Sequence, residues 1–237
     1  VKGTRILNKC LYIAIFSMCC CSKNPSYSTA KNILVFEEKF DSNLDSWVIE
    51  QMSDGTVEII DGEMEISQKN GAVVWLKKKL VAPVEISYEI TVVDQGGKND
   101  RLADMNCFWM ANDPENPDDF FHNSASRGGI FSKYFNLSLY YVGQGGHDNT
   151  KTRFRKYNGS GDRPLDPKHD LNQPQYLLKP NHKNYIKIEV SNGTTSYYCN
   201  NQLIYNIEDE NLYSAGYFAI RSFKNHLKVD NLRITKL

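Results

Sequence analysis

No charge of one sign dominates this sequence. Over 237 residues, Lys and Arg number 28 and Asp and Glu also number 28. Without a basic surplus the chain lacks the electrostatic footprint of a general nucleic-acid binder, and no nucleic-acid partner is expected. The apolar stretch Leu11 to Met18 falls short of the roughly 20 residues a membrane-spanning helix needs. Helical periodicity is nearly absent beyond that stretch, which speaks against helical bundles and alternating α/β folds. No internal repeat is evident. Cysteine is scarce outside the N-terminal segment: Cys10, Cys19, Cys20 and Cys21 lie there, leaving Cys107 and Cys199. These two either pair as one disulfide or stand as two buried thiols, and neither has metal-ligand spacing.

The N-terminus reads as a targeting segment. Lys2, Arg5 and Lys9 precede the short apolar core, which ends in Cys19-Cys20-Cys21-Ser22. Basic flank, short core and small-residue exit fit a signal peptide over residues 1–21. Cys21 is the expected lipid acceptor, against an ordinary cleaved signal or a single anchor helix. Residues 22–35, polar and small for most of their length, read as a tether ahead of a single domain over residues 36–237. The expected location is the cell envelope, lipid-anchored, in the periplasm or on the outer surface.

What remains is a series of short alternating runs. Val84 to Val93 is the clearest: Ile86, Tyr88, Ile90 and Val92 share one face, and Glu85, Ser87, Glu89 and Thr91 the other. Strands are also expected at Ile33–Phe40, Thr56–Ile60, Glu63–Ser67, Ala72–Leu80, Met105–Ala111, Leu137–Val142, Thr152–Tyr157, Tyr185–Ser191, Thr195–Cys199, Gln202–Ile207, Gly216–Ser222 and Leu227–Ile234. Asp61-Gly62, Asn192-Gly193 and Asn200-Asn201 supply tight turns between them. About a dozen short strands with hairpin turns predict an all-β, antiparallel two-sheet sandwich or jelly roll.

Two parts of the chain carry a resemblance. Phe40-Asp41, Leu44 and Trp47, with Gly216–Arg221 and Val229–Leu232, resemble the opening and closing strands of concanavalin A-like β-sandwich domains. The resemblance implies that the first and last strands pair. Asn99–Phe121, Leu139–Tyr157 and Arg163–Leu171 resemble exported bacterial proteins of a domain-of-unknown-function family from glycan-degrading bacteria of the Bacteroides type. That likeness implies glycan processing and supplies no established catalytic residues.

The stretch from Asn99 to Leu178 concentrates Arg, Asn, Asp, His and aromatic residues. Aromatic faces stack on sugar rings, amides such as Asn106 meet hydroxyls, and arginine forks pair with carboxylates. As a strand, Thr152–Tyr157 sets Arg153, Arg155 and Tyr157 on one face, either lining a groove or simply solvated. Either Tyr140 or Tyr141 faces the same groove. Gln144-Gly145-Gly146-His147 reads as a loop carrying Gln144 and His147 over it. Arg101 flanks the Met105 strand, Arg127 sits on a glycine-rich loop as a further carboxylate contact, and Trp109 is either core or a sugar platform.

A Gln/His pair near a tyrosine is loosely similar to the sites of jelly-roll polysaccharide lyases, though the contiguous Gln-X-His strand of those enzymes is missing. The similarity implies β-elimination next to a uronate. Arg153, Arg155 or Arg127 would hold the carboxylate, and His147 with Tyr157 or Tyr140 would exchange protons. The rivals are a noncatalytic glycan-binding sandwich and a hydrolase with paired carboxylates. Glycanases of this fold often show Glu-X-Asp-X-X-Glu, which this chain lacks. No metal or cofactor is expected at the site. Asp118-Asp119 are the nearest ligands for a structural calcium, without an ordered oxygen-ligand loop. The expected partners are a poly- or oligosaccharide and, through the lipid, the membrane.

Overall fold

Alternation turns into pleat wherever the chain carries it. The computed structural model describes residues 1–3 and 32–237. Cys21, the signal segment apart from residues 1–3, and all but the end of the tether lie outside the described residues. In chain order the first strands are β1 (Ile33–Glu38), β2 (Trp47–Gln51), β3 (Gly55–Ile60), β4 (Glu63–Gln68), β5 (Gly71–Leu76), β6 (Leu80–Val81), β7 (Val84–Val93) and β8 (Met105–Asn112). They are followed by β9 (Ser138–Gly145), β10 (Lys151–Asn158), β11 (Asp170–Leu171), β12 (Lys183–Ser191), β13 (Thr194–Cys199), β14 (Gln202–Glu208), β15 (Ala215–Phe223) and β16 (His226–Lys236).

These strands form two antiparallel sheets packed as a sandwich. The first runs β14-β13-β12-β7-β16-β4-β3, with β1 also on β16. The second runs β11-β10-β9-β8-β15-β5-β2, with β6 also on β15. β1 pairs with β16 from Ile33–Lys236 to Glu38–Leu232, so the two ends of the domain lie side by side as the resemblance implies.

The expected Ala72–Leu80 strand is broken. β5 ends at Leu76, and Leu80–Val81 pairs separately with Gly216 and Ala215 of β15. β2 completes an edge of the second sheet against β5 and was not among the expected strands.

The inner core fills the space between the sheets. Ile86, Tyr88, Ile90 and Val92 of β7 meet Met105, Cys107 and Trp109 of β8 and Phe218 and Ile220 of β15 there. Cys107 and Cys199 are both free and buried, and burial pushes their thiols up to about 12 and about 11. A second apolar layer covers part of the outer face of the second sheet. Residues 113–136 fold back over it and pack Phe120, Tyr134, Phe131 and Phe135 against Trp75, Phe108, Tyr141 and Tyr157. Trp75 and Phe120 meet edge-on with centroids 4.8 Å apart. The part of the face this cap leaves open is the floor of a pocket.

Candidate functional site

The floor is one transverse row of side chains. Glu50 pairs with Val73, Val73 with Arg221, Arg221 with Asn106, Asn106 with Gly143, Gly143 with Arg153 and Arg153 with Asp170. Directly opposed residues in neighbouring strands share a face, so this polar row projects outward. The adjacent row is Val48, Trp75, Ala219, Phe108, Tyr141 and Arg155, apolar until its last members. Gly143 leaves a hollow between Asn106 and Arg153, and the Tyr141 hydroxyl leans over it.

The resulting cavity is about 330 Å³ and is lined by five arginines: Arg101, Arg153, Arg155, Arg163 and Arg221. Three of them are already engaged. Arg101 bonds Asp104 at 2.9 Å, Asp148 at 2.9 Å and the Phe223 carbonyl at 3.2 Å. Arg153 holds Asp170 with both arms of its fork, each bond 3.0 Å. This hydrogen bond keeps the Asp170 carboxyl below its ordinary range. Arg155 donates to the carbonyls of Arg163 at 2.9 Å and Pro164 at 2.8 Å, which fixes that loop against the sheet.

Arg221 differs. It is 2% exposed and has no hydrogen-bond or carboxylate partner among the described residues. Its guanidinium lies 3.9 Å from the centroid of Phe131, a residue of the cap. Arg163 lies over the same ring at 4.9 Å. Burial disfavours the Arg221 charge, while Tyr141 and Asp104 partly offset that cost.

Besides Trp75 Nε1 under the cap, four buried polar atoms on this face lack partners: Asn106 Nδ2, Arg155 Nε, Tyr157 Oη and Arg221 Nε. Each of these four can donate a hydrogen bond and three can only donate. The Arg163 guanidinium is close enough to Tyr157 to favour its phenolate, without ideal hydrogen-bond geometry, but burial dominates and raises its pKa.

His147 stands exposed at the rim, where its Nε2 accepts from Arg153 Nη1. Because arginine can only donate, Nε2 is the acceptor in that contact. His147, Asp148 and Asn149 have φ of 53°, 54° and 58°. Asn, Asp and His are the non-glycine residues that best tolerate this left-handed region. Local bonds hold the turn: Thr150 Oγ1 donates to the His147 carbonyl at 2.8 Å, and Asn149 Oδ1 accepts the Leu178 N–H at 2.8 Å. Gly145, with φ of 71°, lets the chain leave β9 into this turn.

The structure brings together Arg101, Arg153, Arg155 and His147 at the cavity, with Asn106 and Tyr157 buried beside it. It separates the other expected site residues from them. Arg127 is no loop contact. It is 2% exposed and bonded to Glu50 at 2.6 Å and to the Phe120 carbonyl at 3.1 Å, with Tyr134 donating to the same Glu50 at 2.7 Å. It clamps the cap to β2. Trp109 is core rather than a platform, and its Nε1 donates to Thr195 Oγ1 at 2.9 Å.

Gln144 is not in a loop. β9 continues through it, so the pleat turns it inward, where it accepts from the Tyr197 hydroxyl at 3.0 Å and lines a separate cavity of about 380 Å³ with His182 and Asn184. Tyr140 also faces inward and donates to Asp209. Tyr141 is therefore the tyrosine on the pocket side. Arg163, Arg221 and Phe131 were not among the expected site residues. A charge in the otherwise apolar run of Gly216–Phe223 is the signal that points to Arg221.

Asp118 and Asp119 are exposed, and Asp119 Oδ1 accepts the Phe121 N–H at 3.1 Å as a turn former. Among the described residues no three His, Cys, Asp or Glu side chains converge as metal ligands, and no helix is long and apolar enough to cross a membrane.

Solved structures share this fold. A Bacillus subtilis protein of unknown function with a galectin-like fold aligns with a TM-score of 0.66 at 15% identity, over 85% of this chain and 95% of its own. The carbohydrate-binding module CBM66 from Bacillus subtilis gives 0.54 at 15% identity, over 81% and 97%. An endo-β-1,3-glucanase from Pyrococcus furiosus gives 0.57 at 10% identity, over 86% and 94%. At these identities the likeness is one of fold. No curated protein matches the sequence. The family model described as domain of unknown function DUF6250 matches residues 66–232, well over half of the sequence, and the chain belongs to that family.

Proposed function

We propose that this protein recognises an acidic glycan by seating a uronate carboxylate among the arginines of the pocket. The observation that carries the reading is the surplus of buried donors around Arg221, Asn106, Arg155 and Tyr157. Buried donors need acceptors, and a sugar-borne carboxylate supplies them to the lining arginines, Arg221 and Arg155, together with the compensating charge. Phe131 and Phe223 give the cavity apolar walls for the sugar ring. Two neighbours of the fold are named for carbohydrate binding or glucan cleavage, which supports the class of ligand. The reading also includes export and a lipid on Cys21, so that the glycan is met in the cell envelope.

β-Elimination is the second reading, and the position of His147 at the rim, with Nε2 against Arg153, favours it. The substrate carboxylate would draw Arg153 away and free Nε2. The arginines would offset the carboxylate charge and acidify the C5 proton. Nε2 takes that proton, its electron pair forms the C4–C5 double bond, and the C4–O bond breaks. Tyr141, whose hydroxyl burial keeps protonated, gives its proton to the leaving oxygen. Hydrolysis is disfavoured, because Asp104, Asp148 and Asp170 are all held by arginines and none stands free as acid or nucleophile.

The test incubates the full chain with uronate-containing and neutral polysaccharides, following binding, ultraviolet absorbance and reducing ends together. Binding of acidic glycans alone supports the first reading. A joint rise in absorbance and reducing ends supports elimination. Binding confined to neutral glycans, or none across the panel, overturns both.

A further inference from the structure

We propose that Arg221 is the seat of the ligand's carboxylate, so that the site accepts a uronate only as its free acid. The inference rests on the acidic-glycan reading and assigns its specificity. Three of the other four lining arginines already have acceptors, and the fourth, Arg163, is exposed to solvent and lies over Phe131. Arg153 is doubly bonded to Asp170, and Arg101 to Asp104 and Asp148. Arg155 is turned to two backbone carbonyls.

Only Arg221 combines near-complete burial with the absence of any acceptor among the described residues. It nevertheless lines the cavity, so the small part of it that is open faces the ligand. Its contact with Phe131 at 3.9 Å holds the planar guanidinium against the cap. A fixed, dehydrated fork of this kind is complementary to a planar carboxylate and gains most from a full negative charge.

An ester reverses that balance. It removes the charge, adds an alkyl group beside Arg221, and leaves the buried guanidinium without a hydrogen-bonded anion. Removing one partner of a buried charge pair typically costs at least about 30-fold in affinity. On a glycan whose uronates are esterified, a carboxyl-ester hydrolysis must therefore come first.

The experiment is titration calorimetry of the full chain with an oligogalacturonate, its methyl ester and a sulfated galactan. It is repeated on Arg221→Met and Arg221→Lys, with thermal unfolding of each. The expected result is binding of the free acid, a loss of at least about 30-fold for the ester, and a similar loss in Arg221→Met. Without ligand, Arg221→Met should melt at the same temperature or higher, because it removes a buried charge that Asp104 and Tyr141 only partly offset. Should that variant fail to fold, Arg221→Lys keeps the charge without the fork and should bind the free acid more weakly than the native chain.

Equal affinity for acid and ester, or undiminished binding by the folded Arg221 variants, overturns this inference while leaving acidic-glycan recognition standing. Tighter binding of the sulfated galactan overturns the carboxylate assignment. Failure of the native chain to bind any acidic glycan overturns the parent reading with it.

Discussion

The Tyr141 hydroxyl occupies the space that a β-carbon on Gly143 would need, and Asn106 Oδ1 lies 3.0 Å from the same point. The glycine is thus what lets a tyrosine lie over the pocket floor. Gly143→Ala should push Tyr141 off Asn106 and cost about 1–3 kcal/mol, as overpacked sites do. Binding of acidic glycan should weaken with it. Adding Tyr141→Phe removes the clashing oxygen and should recover part of the stability. Urea unfolding of the two single variants and the double variant measures this coupling.

The Glu50–Arg127 pair bears on stability and not on ligand. Both residues are buried, and Tyr134 shares the carboxylate. Glu50→Ala leaves the buried Arg127 charge with only Asp113, 3.8 Å away, and should cost about 3 kcal/mol. Replacing both by methionine should cost less than the single change. If Glu50→Ala unfolds at the same urea concentration as the native chain, the clamp has been misread.

Stability should fall on mild acidification because of His169. Its ring packs edge-on against Phe154 at 5.2 Å and Tyr205 at 5.9 Å, and burial holds its pKa below the ordinary value of 6.5. The unfolded chain takes up this proton first. The stabilisation is present above the unfolded value and is lost as pH falls through the folded one. Denaturant midpoints measured between about pH 8 and about pH 5 should decline, and His169→Phe should flatten the decline. A slope unchanged by that substitution would assign the effect to other groups.

His147 separates the two functional readings. It is exposed, but alanine is strained at its φ of 53°, so His147→Ala should cost about 1 kcal/mol of stability. In an eliminating enzyme the variant loses turnover and keeps affinity for the free acid. Turnover that survives the substitution would remove His147 from the chemistry.

Much of the pocket's raw material was legible along the chain. Period-2 alternation set Arg153, Arg155 and Tyr157 on one face before any coordinates, and all three lie on the outer face of the second sheet. The same rule failed at Gln144, because glycines read as a loop while β9 continued through Gly145 and turned the glutamine inward.

Most of the strands and their turns, and the common face of the β10 arginines, were determined by the sequence alone, because neighbouring residues impose pleat and turn geometry locally. Which buried arginine stays unpaired was decided only by the tertiary structure. Asp170, Asp148 and Glu50 reach Arg153, Arg101 and Arg127 across separations of 17, 47 and 77 residues, and among the described residues no carboxylate comes within salt-bridge distance of Arg221. Charge compensation depends on distance in space, and the distance from Arg221 to every acid is set by strand register and by the cap folding over the sheet.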